Sequence, residues 1–361
     1  MNAPTPMPLD EATLNGWTDA PLGPVALTLR QVMQPVEGPG SVIFPPTYAD
    51  LGYCIDRLSD GTRVALIDSV GSQANRMEPL FKHKPYSDLV PKVTIALGNG
   101  KVVDLLDVGH RLGDALVRAS GLSEAVRDAF HAFTETGSAV PIAKLAPTSL
   151  VFGAWDSRGE GSKLPRLVSS TIRAWDVDPI HRAAQYNPPA DYAALDVFSD
   201  DEKKKAEGNV KSPLAQRGFV HVPAVGEKGQ GGELGGVLAR GDFVRSVTVN
   251  LVALRALRGE SEETTAALRR YILGLALVTA TDPGDAFLRQ GCLLTPDPET
   301  PADWTLVARS GQRQPVALTP DAALAFAQQA ATSFGVGQSQ ENVPFDKIKA
   351  KADLKAKDGR S

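Results

Sequence analysis

The chain has 361 residues, enough for one large core or two domains, and its 42% hydrophobic and 22% charged residues are ordinary globular values. A formal net charge of −4 excludes a protein that coats nucleic acid by overall charge, so any such contact must come from local basic patches, with acids kept on other faces. No apolar run reaches membrane-spanning length, and Cys54 and Cys292 lie far apart without CxxC spacing, which leads us to expect a cytoplasmic chain with reduced thiols.

The opening stretch, MNAPTPMPLDEAT, lacks the basic flank and apolar run of a secretory signal, and residues 1–20, rich in Pro, Thr and small residues, read as a flexible lead-in. From Val25 to Val36 the chain alternates as a strand does, and GPGSVIFPPTY after it is turn-like. TRVALID (62–68) reads as a second strand running into a helix with Ser69 as N-cap and Val70, Met77, Leu80 and Phe81 at roughly helical spacing. Residues 93–106 read as a hairpin turning at Gly98, Asn99 and Gly100, with a helix-like stretch from about 108 to 134. The 148–186 segment mixes a strand-like VFGAW with a polar Gly/Ser/Arg loop, and SDDEKKKAEGNVK (199–211) reads as a solvated surface loop.

A Gly-rich run, VGEKGQGGELGG (225–236), leads into FVRSVTVNLVALRAL, whose β-branched start predicts a strand passing into a helix. A helix over 262–278, short strands in DAFLRQGCLLTP and WTLVARS, and an Ala-rich helix over 320–333 follow. The polar, lysine-punctuated tail from about Gly335 is expected to fray. Strands and helices interleave with long insertions and no fixed-period repeat, the pattern of an α+β fold.

Enzyme signatures are absent. His83, His110, His131, His181 and His221 are scattered, form neither HxxxH nor HExxH, and with two distant cysteines give no zinc spacing, so no metal is expected. There is no GxSxG elbow. GSK in GAWDSRGEGSKLPR resembles the end of a phosphate-binding loop, but Gly159 and Gly161 do not give GxxxxGK[ST] and Leu164 follows Lys163; no cofactor is expected.

The same segments suit contact with a sugar-phosphate backbone, since Gly, Ser and a cation offer amides, hydroxyls and charge to phosphate oxygens. In 157–173 the candidates are Ser157, Arg158, Ser162, Lys163, Arg166 and Arg173, opposed locally by Glu160 alone; around the second Gly-rich run they are Arg240 and Arg245, opposed by Asp242. The alternative is a set of solvated arginines paired with surface acids. Ser69, Ser72, Gln73, Asn75 and Arg76 gather hydrogen-bonding groups at one helix start, where free amides favour an anion, or form the polar face of a capped helix. Trp155, Trp175 and Tyr186 flank the basic loop as base-stacking or core residues.

Three features together resemble one family: IFPPTY (43–48) with ALIDSVGSQANRMEP (65–79), SLVFGAWDSRGEGSKLPRLVSSTIRAWDV (149–177), and GVLARGDFVRSVTVNLVALRAL (236–257). They resemble the Cascade backbone protein of type I-G (formerly I-U) CRISPR systems, the Csb-type branch of the RAMP superfamily or "Cas-seven" proteins, over about residues 25–310. The resemblance implies an RRM-like (ferredoxin-like) α+β core over 21–334 with large finger and thumb insertions, fingers at about 80–140 and a thumb or mobile loop at about 221–240, with 335–361 a flexible tail. It implies a non-catalytic subunit that polymerises head to tail with copies of itself along CRISPR RNA, meets target DNA through the guide, and joins other Cascade subunits, with no membrane partner. Related type III backbone proteins cut RNA with a loop aspartate, so a metal-dependent endoribonuclease using Asp68 or Asp156 is the alternative. A nucleotide-dependent enzyme using the glycine-rich loops is a third reading.

Overall fold

The computed structural model describes residues 6–156, 162–182, 185–209, 211–223 and 233–355. Its main sheet is built from β1 (Ala26–Pro35), β2 (Arg63–Asp68), β3 (Val168–Trp175), β4 (Phe243–Asn250), β5 (Cys292–Pro296), β6 (Asp303–Val307) and β7 (Arg313–Ala317). The helices that frame it are α1 (Glu11–Asp19), α2 (Val70–Met77), α3 (Glu262–Thr281) and α4 (Pro320–Phe334). These elements form a mixed α+β fold on an antiparallel sheet.

In space the strands run β7–β6–β1–β4–β3–β2, with β5 beside the second half of β1. β1 pairs with β4 over eight residues, from Ala26 against Asn250 to Met33 against Phe243. The strands form because their sequences alternate: Leu27, Leu29 and Met33 of β1, and Phe243, Val247 and Val249 of β4, turn to the helices and are buried. The opposite face is lined by hydroxyls, with Thr305, Thr28, Thr248 and Ser169 opposite one another across four strands.

Helix α3 covers the apolar face, capped by Ser261 and buried continuously from Tyr271 to Ala280. It is sandwiched between sheet and α4, and the rings of Tyr271 and Phe334 stack 4.9 Å apart. Gly274 permits that approach, because a Cβ there would stand 2.8 Å from the Ala327 Cα. On the sheet, Leu29 and Val247 belong to this large core, whereas Met33, Phe243 and Ala174 belong to a second apolar cluster. Between the two lies the row Gln31–Arg245–Ile172–Asp68, a largely polar seam.

Several expectations hold: the strands at 26–35 and 63–68, the Ser69 cap, the 93–96 and 102–104 hairpin, and the helices at 262–281 and 320–334. Others are corrected. The lead-in contains α1, capped by Asp10 and held by Leu14 and Trp17, the latter 3% exposed. VFGAW is not one strand: Thr148–Phe152 is a buried helical turn ending at Gly153, which has φ +78°, and only Ala154–Trp155 pair. The charge run at 199–211 contains the helix Asp200–Ala206, because Ser199 and Glu202 form a capping box with three acids in the first turn and three lysines in the last. The tail is ordered to Lys355: Gln340–Pro344 pairs with Val93–Ala96, and Lys347–Lys355 is helical.

The segment 80–140 folds as short helices and the 93–96 and 102–104 hairpin, and its Phe81, Leu112, Val126 and Phe130 join the large core. The candidate thumb at 221–240 lies partly outside the described residues. Its last part, Glu233–Ala239, pairs antiparallel with Val177–Arg182. These two strands form an arm whose distal lobe holds its own cluster of Ala206, Ala215 and Val220, with Tyr192 and Phe198 edge-on to Phe219. Among the described residues, no helix is long and apolar enough to cross a membrane.

Candidate nucleic-acid interface

The β2–α2 junction places the first group of candidates. Ser69 leaves the strand with extended backbone, and its Oγ accepts from the Ser72 amide at 3.2 Å while lying 3.1 Å from the Ser72 Oγ. Both hydroxyls are partly exposed, and Asn75 and Arg76 face solvent on the next turn. Gln73 points the other way. It is buried, accepts from Ser170 Oγ at 2.7 Å, and donates to Asp68 at 2.8 Å, so it ties α2 to the sheet and is corrected from an interface residue to a structural one.

Asp68 is fully buried at the end of the polar seam. One carboxylate oxygen accepts from Gln73 Nε2 and from Arg76 Nε at 3.0 Å, and the other accepts from Arg289 Nη2 at 2.9 Å. Sequence reading missed Arg289; no motif marks it, and it meets Asp68 from 221 residues away. Arg76 therefore has two roles: its Nε neutralises Asp68 while its side chain stays about one-third exposed.

Arg245 is also corrected. It occupies the helix-facing side of β4 at 2% exposure, donating to Gln31 Oε1 at 3.3 Å and to the Thr279 carbonyl at 3.5 Å. Burial pushes its guanidinium down to about 10, with nearby Asp282 opposing that fall. The residue stands in a strand whose period turns it inward, a feature the local cluster of arginines conceals. Arg240 is exposed but bonded to Asp178 at 2.8 Å, which Arg63 also engages at 2.6 Å.

The basic loop divides. Ser157 and Arg158 lie outside the described residues, and Ser162 is buried. Lys163, Arg166 and Arg173 are exposed, and among the described residues none of them has a carboxylate within 4 Å. Arg166 Nε donates to the Phe152 carbonyl at 2.9 Å, and Arg173 donates to Thr171 Oγ1 at 3.0 Å on the hydroxyl-lined face. Burial pushes Arg166 below the ordinary guanidinium range, helped by the charge of Arg111.

Arg111 itself was not singled out by its sequence context. It is buried between α2 and the Gly153 turn, and its Nε donates to Glu78 Oε2 at 2.7 Å. Burial raises the Glu78 carboxyl to about 7, while the Arg111 charge and a hydrogen bond with Thr148 act the other way. Asp156 is 2% exposed and pairs with Arg118 at 3.3 Å. Among the described residues no group of three or more His, Cys, Asp and Glu side chains is arranged to hold a metal ion.

Residues 27–179 match the family CRISPR-associated protein GSU0053. Over this stretch the chain is similar to that CRISPR-associated family. The match covers β1, β2, α2, β3 and the first two sets of motifs that carry the resemblance, but not the third. No curated protein matches the chain. A chain of a solved CRISPR RNA-guided surveillance complex, pre-nicking, is similar at 11% identity over 76% of this chain and 74% of its own, with a TM-score of 0.33. At that score the likeness adds nothing to the fold described above.

Proposed function

We propose that this protein is a CRISPR-associated, non-catalytic backbone subunit of a type I-G Cascade, polymerising head to tail along CRISPR RNA and holding its sugar-phosphate chain. The observation that carries this reading is the position of Lys163, Arg166 and Arg173. Within the family-matched segment of a net-acidic chain, these three exposed cations have no carboxylate partner among the described residues. A guide varies in sequence, so its holder has to grip backbone and shape and leave base edges free for pairing. Unpaired cations beside a hydroxyl-lined sheet suit that task.

The RRM-like core is part of the proposal. β1, β3, β4 and β6 lie in the spatial order fourth–first–third–second, with helices between the first and second and between the third and fourth, which supports a βαββαβ core extended by β2. The arm of 177–182 and 233–239 with its distal lobe is the thumb in this reading, and 80–140 the finger insertion. A head-to-tail contact uses two different surfaces and, unclosed, makes an open helix.

Both aspartates that would serve an endoribonuclease are buried in ion pairs, which supports a holding role. Incubating the assembled complex with complementary RNA and magnesium tests this: the RNA is expected to survive intact. Site-specific cleavage abolished by Asp156→Ala would overturn the non-catalytic assignment.

A further inference from the structure

A cavity of about 430 Å³ opens beside α2, between the Gly109–Arg111 turn, the Phe152–Trp155 segment and the Lys163–Arg166 segment. That is the size of a small-ligand pocket. Its wall carries His110, Arg111, Lys163 and Arg166 and, among the described residues, no carboxylate. Trp155, 54% exposed, lines it and leaves aromatic surface open to a ligand.

The cavity is built rather than incidental. Arg111, 4% exposed, is fixed by Glu78, by the Gly153 carbonyl at 3.2 Å and by Asn75 Oδ1 at 3.4 Å, with its guanidinium 5.2 Å from the centre of the Phe152 ring. Gly113 allows the Trp155 backbone to pass; a Cβ there would collide with the Trp155 carbonyl. Lys163 faces Trp155 across the two-residue ladder, its ammonium 5.3 Å from the ring. Arg166 spends its Nε on Phe152, and its terminal nitrogens make no bond among the described residues. Burial and the charge of Arg111 both disfavour the Arg166 cation, so an anion seated beside it relieves a cost already present in the fold.

An anion answers the guanidinium and ammonium groups, and a flat ring answers Trp155. A nucleotide is the ligand class that carries both. We propose that this pocket seats one nucleotide, its base stacked on Trp155 and its phosphate held by Arg166 and Lys163. The inference rests on the RNA-holding reading for the natural occupant, a nucleotide of the bound strand. It goes beyond that reading in giving one base a defined stacking partner. Stacking on a ring tolerates any base, so the seat leaves the guide free to vary in sequence.

The test uses the full chain stripped of RNA and titrated with adenosine 5′-monophosphate, ribose 5-phosphate and inorganic phosphate, read by calorimetry and tryptophan fluorescence. Adenosine 5′-monophosphate is expected to bind about tenfold more tightly than ribose 5-phosphate and to quench tryptophan emission. Trp155→Ala, a change at an exposed ring, is expected to abolish that difference, and Lys163→Gln and Arg166→Gln each to weaken both sugar phosphates several-fold. Equal affinity for all three compounds, or affinities unmoved by the substitutions, overturns the proposal. Guide RNA co-purifying with the parent assembly is scored separately. Nucleotide discrimination without co-purified RNA supports the seat and sinks the RNA-holding reading; RNA without discrimination sinks the seat alone.

Discussion

Arg289 donates to the buried carboxylate of Asp68 at 2.9 Å, joining the hairpin that follows α3 to the strand that precedes α2. Arg76 meets the other oxygen at 3.0 Å, so two guanidiniums converge on one anion where α2 leaves the sheet. The β2–α2 junction is thereby fixed by charge as well as by the Ser69 cap, and the exposed polar side chains of α2 start from a rigid base.

Removing that anion leaves two cations without their partner. Asp68→Ala is expected to lower stability by about 3–5 kcal/mol, the cost of breaking a buried ion pair from one side, read from the urea midpoint at unchanged slope. A loss within about 0.5 kcal/mol would mean the network is solvated rather than buried.

Arg166→Ala and Arg173→Ala are each expected to weaken RNA binding by about 1–3 kcal/mol, equally for unrelated spacer sequences, with a shallower salt dependence. Titration of three unrelated RNAs at two salt concentrations checks this. Losses that differ among the spacers contradict backbone recognition.

Arg245→Met makes the opposite prediction. The side chain is inside the sheet, so RNA affinity should stay within about twofold, while stability is unchanged or improved because a buried cation is exchanged for an apolar side chain. An RNA-binding loss as large as that of Arg166→Ala would return Arg245 to the interface.

These contrasts mark how far the sequence could be read. Strands and helices with clear period and caps were legible: β1, the Ser69-capped α2, α3 and the Ala-rich α4 follow from local pattern alone. The site was half legible. Lys163, Arg166 and Arg173 are exposed as expected, but Gln73 and Arg245 are the same residue types turned inward, and side-chain type does not reveal facing. Arg245 could have been placed by counting from Val247 and Val249, which fix the inward side of β4. Arg111 and Arg289 were not legible, because their partners Glu78 and Asp68 lie 33 and 221 residues away. Trp17 was overlooked because its proline-rich neighbours masked the Asp10 cap and an apolar helix face.

Glu78 gives the protein a pH signature. Burial raises its carboxyl to about 7 from 4.5, so between those values the folded chain holds a proton that the unfolded chain has released. The contribution is fully present below about 4.5 and is lost as pH rises through 7, on the order of 3 kcal/mol in all. Chemical denaturation of the parent and Glu78→Gln between pH 5 and 7.5 checks the sign: parent stability should fall with rising pH relative to the variant. A relative rise would mean that the Arg111 charge, not burial, governs Glu78.

The most direct measurement is co-expression of the chain with a CRISPR array and its neighbouring subunits, followed by purification and sequencing of the bound RNA. The account predicts guide transcripts carrying every spacer of the array, each protected along its length. A preparation free of guide RNA, or one enriched for a single sequence, would contradict it.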